Sequence, residues 1–323
     1  MSRKIQQRSY GGPEVLEVVP MKRPDPGALA RGQVLVRVSA AGVNPVDTQT
    51  RRGEAVAGQM GGFPFTVGWD VAGTVEALGP DTGPSDAGEA LAVGERVLAF
   101  SRFPAQAAAY ADYAVVAVDE LARIPASLPD VAAAGLPLAG LTAWQDLVDV
   151  AEVRPGQRVL VQGGGGGVGH LAVQIAHDLG AHVIATTSAS KRDWVTGLGA
   201  DEVIVHPDDS VAEVLRDSPV DVVLDAVGGP VGLSSIAVTK AGGVVVALPG
   251  VSEDMKAAAD GSGVRAFYHA VHPDGAQLAH LLSRAEAGAL AVVVSDVFSL
   301  ERAADAHRAV EGGHTRGKVV LSL

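Results

Sequence analysis

Residues 159–176 read VLVQGGGGGVGHLAVQIA, an apolar run that breaks into five consecutive glycines and then into a pattern with Val168, Leu171, Ala172, Ile175 and Leu179 on one face. That order predicts a strand, a tight turn and a helix. Residues without Cβ let backbone N–H groups approach an anion closely, and the helix behind adds the positive end of its dipole, so a pyrophosphate fits the turn. Gly164-x-Gly166-x-x-Gly169 has the spacing of a dinucleotide fingerprint in the required context, strand before and helix after. A Gly-rich linker would lack periodic apolar flanks, and both flanks here are periodic.

The segments that follow continue the alternation. AHVIAT at 181–186 predicts a second strand, 191–198 a helix, DEVIV at 201–205 a third strand, and DVVLDAVGG at 221–229 and GVVVAL at 243–248 two more. Parallel neighbours need crossover connections, so this rhythm predicts an α/β fold of the Rossmann class with a doubly wound parallel sheet. At the end of the second strand, where an NAD site usually places Asp or Glu on the ribose 2′-hydroxyl, the chain has Thr187, Ser188, Lys191 and Arg192. Hydroxyls and positive charge favour a 2′-phosphate and hence NADP. The same two cations also read as the solvated first turn of a helix, although there they run against its dipole.

The 323 residues allow two domains, each with its own core, and 47% hydrophobic content with 40 glycines suits an α/β protein. A net charge of −12 argues against general binding to nucleic acid or anionic membranes. No run reaches about 18 uninterrupted apolar residues, and MSRKIQQRSY lacks the apolar core of a signal peptide, so a cytoplasmic enzyme is the simplest expectation. With no cysteine there is no catalytic thiol and no thiolate zinc site, and the nine histidines show no ligand spacing, so no metal is expected. Residues 1–125 instead carry strand-like runs at 33–42, 70–78, 95–100 and 113–118 between Gly- and Pro-rich turns, as in a β-rich domain. PDTGPSDAGEA at 80–90 and QAAAYA at 106–111 read as loops. A helix-like stretch, LTAWQDLVDVA at 141–151, leads from the two prolines near 125–129 into the nucleotide unit, which is expected to span 126–264.

Taken together, YGGPEVLEV at 10–18, AAGVNPVDTQTRRG at 40–53, FPFTVGWDVAGTVEALGP at 63–80, LPLAGLTAWQDLVD at 136–149, the glycine turn and LERAADAHRAVEGGHTRGKVVLSL at 300–323 are specific. On these motifs the chain resembles the medium-chain dehydrogenase/reductase superfamily, and within it the zinc-independent, zeta-crystallin-like quinone oxidoreductases. The resemblance implies a GroES-like catalytic domain at 1–125, completed by 265–323. Where zinc-dependent relatives carry a Cys and a His ligand, this chain has Asn44 and Trp69. Without a Lewis acid, alcohol oxidation loses its main stabiliser, whereas reduction of a polarised double bond needs only hydrogen-bond donors and a proton.

The resemblance also implies roles. Asn44 would orient the nicotinamide or its ribose, with Asp47 and Thr48 in the same loop, although Asn-Pro and Asp also fit plain turn and cap chemistry. Gly166, Gly167, Val168 and Gly169 would cradle the pyrophosphate; Thr142 would touch the phosphates or cap a helix at 142–150. Ser188 and Lys191 would hold the 2′-phosphate, and His206 would either reach it or simply end a strand. Leu248 and Gly250 would pass the nicotinamide. Phe267 would wall the substrate pocket or join the core, and Trp69 with Phe65 would make that pocket apolar. Many relatives read VDTY where this chain has Gln49, which has no titratable proton, so water, Tyr10, Tyr268 and His269 stay open as the proton source. The expected function is an NADPH-dependent reductase of a small hydrophobic quinone or α,β-unsaturated carbonyl; the alternatives are an enoyl-thioester or tailoring reductase and a non-catalytic NADPH-binding protein. The family pairs edge strands of two Rossmann sheets, so a homodimer is expected, with GVVVALPG at 243–250 or a nearby strand as the edge.

Overall fold

The computed structural model describes residues 2–82 and 90–323, so most of the loop expected at 80–90 lies outside the described residues. Two compact units divide the chain, Met1–Leu141 with His272–Leu323, and Thr142–Val271.

The chain opens with β1 (Arg3–Gln6), β2 (Glu17–Pro20), β3 (Gln33–Val43), α1 (Pro45–Arg52), β4 (Asp70–Leu78), β5 (Arg96–Phe100), β6 (Tyr113–Ala117) and β7 (Leu121–Arg123). Two helices follow, α2 (Asp130–Ala134) and α3 (Pro137–Trp144). Next come β8 (Arg158–Gln162), α4 (Gly169–Asp178), β9 (His182–Thr187), α5 (Arg192–Gly197), β10 (Glu202–Val205), α6 (Val211–Val214) and β11 (Val220–Asp225). The middle segment finishes with α7 (Gly229–Ala237), β12 (Thr239–Ala247), α8 (Glu253–Ser262) and β13 (Arg265–Phe267). The C-terminal return supplies α9 (Gly275–Glu286), β14 (Val294–Ser299), α10 (Ala303–Glu311) and β15 (Lys318–Ser322).

In the first unit the main sheet runs β14-β15-β3-β4-β5-β7, with β6 also paired to β3, while β1 and β2 form a separate antiparallel pair. Alternating β-branched residues on β3 and β4 build its core: Val34, Val36, Val38, Val71 and Val75 are all buried. The C-terminal return adds the β14 edge and the strand next to it, β15 lying antiparallel to β3 with Leu321 opposite Ala41. This unit extends to Leu141, beyond the boundary expected near 125. The reason is α2, which an ion pair fastens to the sheet: Arg96 Nε of β5 donates to Asp130 Oδ1 at 2.8 Å.

The second unit holds a parallel sheet of order β10-β9-β8-β11-β12-β13. The chain winds outward from β8 through β9 to β10 and then crosses back to β11, so the direction of winding reverses beside β8, where open α/β sheets bind ligands at the strand C-termini. The five predicted strands are present, and a sixth, β13, adds Arg265–Phe267 alongside Val244–Val246. That strand moves one expectation and narrows another. The second unit ends at Val271 rather than 264, and of the edge candidates, 243–250 or a nearby strand, β12 is internal while β13 is an edge, with β10 the other.

One local expectation changes, and one holds with an added feature. The helix expected at 141–151 starts at Pro137 and passes directly into a π-helical turn at Gln145–Val150. QAAAYA forms neither helix nor strand, yet Ala107, Ala109, Tyr110 and Ala111 are buried, with the Tyr110 carbonyl accepting from Ile5 N at 2.8 Å.

Candidate functional site

The glycine turn follows β8 and opens α4. Gly163 holds φ +76°, a left-handed conformation suited to glycine, and Gly163 N and Gly164 N donate to Thr186 Oγ1 and the Thr186 carbonyl at 2.9 and 2.8 Å. The turn is thereby sewn to the end of β9. At Gly169 a Cβ would lie 2.1 Å from the Gly163 carbonyl oxygen and 2.8 Å from Gly164 Cα, so only glycine lets the helix approach the turn this closely. Gly166 N donates back to the Gly163 carbonyl at 2.9 Å, whereas the N–H groups of Gly165, Gly167 and Val168 find no acceptor among the described residues. Three backbone donors at a helix N-terminus form an anion cradle.

Positive charge stands beside it. A Cβ on Gly165 would meet Thr187 Oγ1 at 2.7 Å and Lys191 Cδ at 2.8 Å, so the lysine stem lies over the turn. Thr187 is buried; Ser188 and Arg192 are exposed, and Ser188 Oγ sits 3.2 Å from Ser190 Oγ. His206 joins the same sheet end, its backbone N–H donating to the Thr187 carbonyl at 2.9 Å with its side chain exposed. Leu248 N donates to the Asp225 carbonyl at 2.9 Å, and Gly250 turns the chain at φ +100°. Phe267 is half-buried on β13, opposite Val246. Thr142 is buried inside α3, one turn from its start, which corrects the cap expectation.

Close to this end of β13, His269 Nδ1 lies 2.8 Å from Asp146 Oδ1 of the π-turn. Burial raises the Asp146 carboxyl to about 8 and draws the His269 imidazole down, so both favour their neutral forms. Tyr268 beside it is exposed, its hydroxyl pushed up by partial burial and by Asp146.

In the first unit the NPVD motif closes a buried polar network. Asn44 is 1% exposed; its Nδ2 donates to Asp70 Oδ2 at 2.8 Å, and its Oδ1 accepts from Lys318 Nζ, which also donates to the Val43 carbonyl at 3.3 Å. Asp47 reaches back to the Asn44 backbone N–H at 2.7 Å, half of a capping box over Pro45 at the first helical position. Thr48 Oγ1 donates to the Pro45 carbonyl at 2.8 Å. Asp47 and Thr48 make the local turn-and-cap bonds of the motif, whereas the Asn44 side chain is held by Asp70 and Lys318. The expectation for Trp69 and Phe65 as pocket walls is corrected too. Trp69 has no exposed surface, its Nε1 donates to the Ala105 carbonyl at 2.8 Å, and its ring meets Phe103 edge-on; Phe65 is likewise buried.

Sequence reasoning missed the rest of this network. Arg51, 1% exposed, donates from NH1 to His307 Nδ1 at 3.2 Å and from NH2 to Glu311 Oε1 at 2.5 Å. An arginine can only donate, so the proton of His307 sits on Nε2, 3.3 Å from the Tyr110 hydroxyl, which donates to Asp47 Oδ2 at 3.2 Å. The chain of donors runs one way, from Arg51 to Asp47. Burial beside Arg51 pulls His307 down to about 3, and burial raises Asp47 to about 7, the Asn44 N–H opposing it. The signals were lone charges heading apolar strands, Asp70 in DVAGTV and Lys318 in KVVLSL, and His307 on the apolar face of AADAHRAVE.

A GroES-like β-domain joined to a Rossmann sheet with a glycine phosphate turn defines an oxidoreductase architecture, and the comparisons agree. Residues 30–126 match the alcohol dehydrogenase GroES-like domain family and 198–321 the zinc-binding dehydrogenase family. The chloroplastic NADPH-dependent alkenal/one oxidoreductase of Arabidopsis thaliana is 37% identical over 325 residues, spanning 97% of this chain and 77% of that protein. The solved quinone oxidoreductase of Coxiella burnetii superposes with a TM-score of 0.90 at 33% identity, covering 100% of this chain and 99% of that one. A mycobacterial protein solved in complex with NADPH gives a TM-score of 0.85 at 32% identity, covering 99% and 100% of the two chains. The chain belongs to the medium-chain dehydrogenase/reductase family, among its quinone oxidoreductases.

Two tests follow from the packing and the titration. Gly169→Ala must displace backbone on one side or the other, so it is expected to lower unfolding stability by about 2 kcal/mol or more in urea; an unshifted midpoint refutes the close approach. For pH, Asp47 holds in the folded state a proton that the unfolded chain releases, so its contribution is present at low pH and lost as pH rises toward about 7. His307 is the opposite: its contribution is present above its ordinary value of 6.5 and lost as pH falls toward about 3. Between about pH 4 and 6.5 the two slopes, about 1.4 kcal/mol per pH unit for each proton, offset. Asp47→Asn is therefore expected to lose stability on acidification through that window more steeply than the parent; parallel curves contradict the assignment.

Proposed function

We propose that the chain is an NADPH-dependent reductase of small hydrophobic quinones or α,β-unsaturated carbonyls that works without zinc. The observation that carries the reading is the cradle of Gly165, Gly167 and Val168 N–H groups with Lys191 lying across it and no carboxylate at the end of β9. These residues fit a phosphorylated dinucleotide: the backbone donors would hold its diphosphate, and Lys191, Ser188 and Arg192, with His206 at the rim, its 2′-phosphate. When bound, NADPH supplies a hydride to an electron-poor carbon.

The residues do not fit the zinc named in one matching family description. The chain has no cysteine, Asn44 has its side chain engaged by Asp70 and Lys318, and Trp69 is buried. Asn44, Asp47 and Thr48 act in this reading as positioning residues that fix the α1 turn. Leu248, Gly250 and Phe267, at the C-terminal ends of β12 and β13, would pass the nicotinamide and wall the substrate, and Thr142 would contact the phosphates. Gln49 has no proton to give, so the proton that completes the reduction comes from water or from His269 Nε2–H, the protonated Asp146 carboxyl then passing its own proton to Nδ1. The names of the Arabidopsis and Coxiella relatives support the substrate class. A homodimer through the β13 edge and a cytoplasmic location complete the proposal; among the described residues no helix is long and apolar enough to cross a membrane.

Purified protein with NADPH and a panel of quinones and enones is expected to bleach the nicotinamide absorbance, and silence across the panel overturns the reading. Turnover of enoyl thioesters alone would favour a thioester reductase. Lys191→Ala is expected to weaken NADPH tenfold or more, the worth of a charged hydrogen bond, while NADH changes less than about twofold. Equal effects on both coenzymes would place Lys191 outside the 2′-phosphate site.

A further inference from the structure

We infer that His170 is a positioning residue for the coenzyme diphosphate, aiming the Gly167 N–H into the cradle. The inference rests on the proposed binding of NADPH at the glycine turn and deepens it.

His170 stands in the first turn of α4 with no exposed surface, so its ring cannot itself touch a ligand from solvent. Its backbone N–H donates to the Gly166 carbonyl at 3.1 Å, and its Nδ1 lies 3.0 Å from the same oxygen. A carbonyl oxygen only accepts, so Nδ1 carries the proton. One residue thus grips one carbonyl twice. The peptide unit joining Gly166 to Gly167 is planar and trans, so holding its C=O on the helix side turns its N–H the opposite way. That N–H is among the three without an acceptor among the described residues. In a turn of five glycines no side chain limits φ and ψ, and without an anchor the peptide could flip and present its oxygen to the anion.

The ring is itself braced. Trp194 of α5 stacks on it, with centroids 6.1 Å apart and planes at 28°, and Gln174 Nε2 holds the His170 carbonyl at 2.8 Å. Because α5 begins directly after Lys191, the stacked pair also ties the helix behind the turn to the segment beside the 2′-phosphate.

The test compares three proteins by fluorescence titration with NADPH and with 2′-AMP, which carries the adenosine phosphate but no diphosphate. His170→Leu fills the space without a donor and is expected to raise the Kd for NADPH about tenfold while leaving 2′-AMP within about twofold. His170→Asn places an amide N–H near the position of Nδ1 and is expected to recover NADPH affinity to within about threefold of the parent. Thermal melting without ligand checks that both variants fold. Parallel weakening of both ligands, or NADPH affinity unchanged in His170→Leu, overturns the inference. A parent that fails to bind NADPH overturns the functional proposal and this inference together.

Discussion

Lys318 carries a positive charge into the interior of the first unit, and three strands depend on how it is satisfied. Desolvating an ammonium costs several kcal/mol unless opposite charge and hydrogen bonds replace the lost water. Here the replacements come from the end of β3, through the Val43 carbonyl and Asn44, and from β4, through Asp70 behind Asn44. Asp70 is held in turn by the Leu138 N–H at 2.8 Å, at the start of α3. One cation on β15 therefore fixes the register of the return strand, the entry to α1 and the approach to α3. Burial depresses the Lys318 ammonium and raises Asp70, and the mutual attraction opposes both shifts. Burial also lets Asp47 keep its proton up to about pH 7, which lessens the repulsion between its carboxyl and that of Asp70.

In the proposed reading the second unit meets the opposite problem, attracting an anion on a chain of net charge −12. It would do so with backbone dipoles, which carry no net charge and need no counterion, aided by side-chain cations at one strand end. Polarity in the first unit is largely internal; in the second, three backbone N–H groups of the turn find no acceptor among the described residues. That contrast distinguishes the two units more clearly than residue type does, since both place Thr, Lys and His at these positions.

Legibility in the sequence tracked the range of the interactions. The Rossmann strands were readable because each is a contiguous β-branched run and each crossover has its own helix. β13 was not, because three residues, Arg265–Phe267, carry no periodicity and gain their strand character from pairing with β12. The start of α3 was hidden by small residues, PLAG, that give no apolar stripe. Asp47 and Asn44 were recognisable as a possible cap, yet their partners at 70, 110 and 318 lie on separate strands and a loop, and no local pattern links them. Tyr110 was the most concealed: it sits in an alanine-rich stretch that read as a loop, yet it is buried with its backbone and hydroxyl both engaged.

The placement of β15 between β14 and β3 also governs the order in which the chain can mature on the ribosome. Residues 142–271 are contiguous, and their sheet has all six strands once Phe267 has emerged. The other sheet has a vacant lane beside β3 until residue 322 is made, so its early hairpins must wait half-assembled through the synthesis of an entire neighbouring unit.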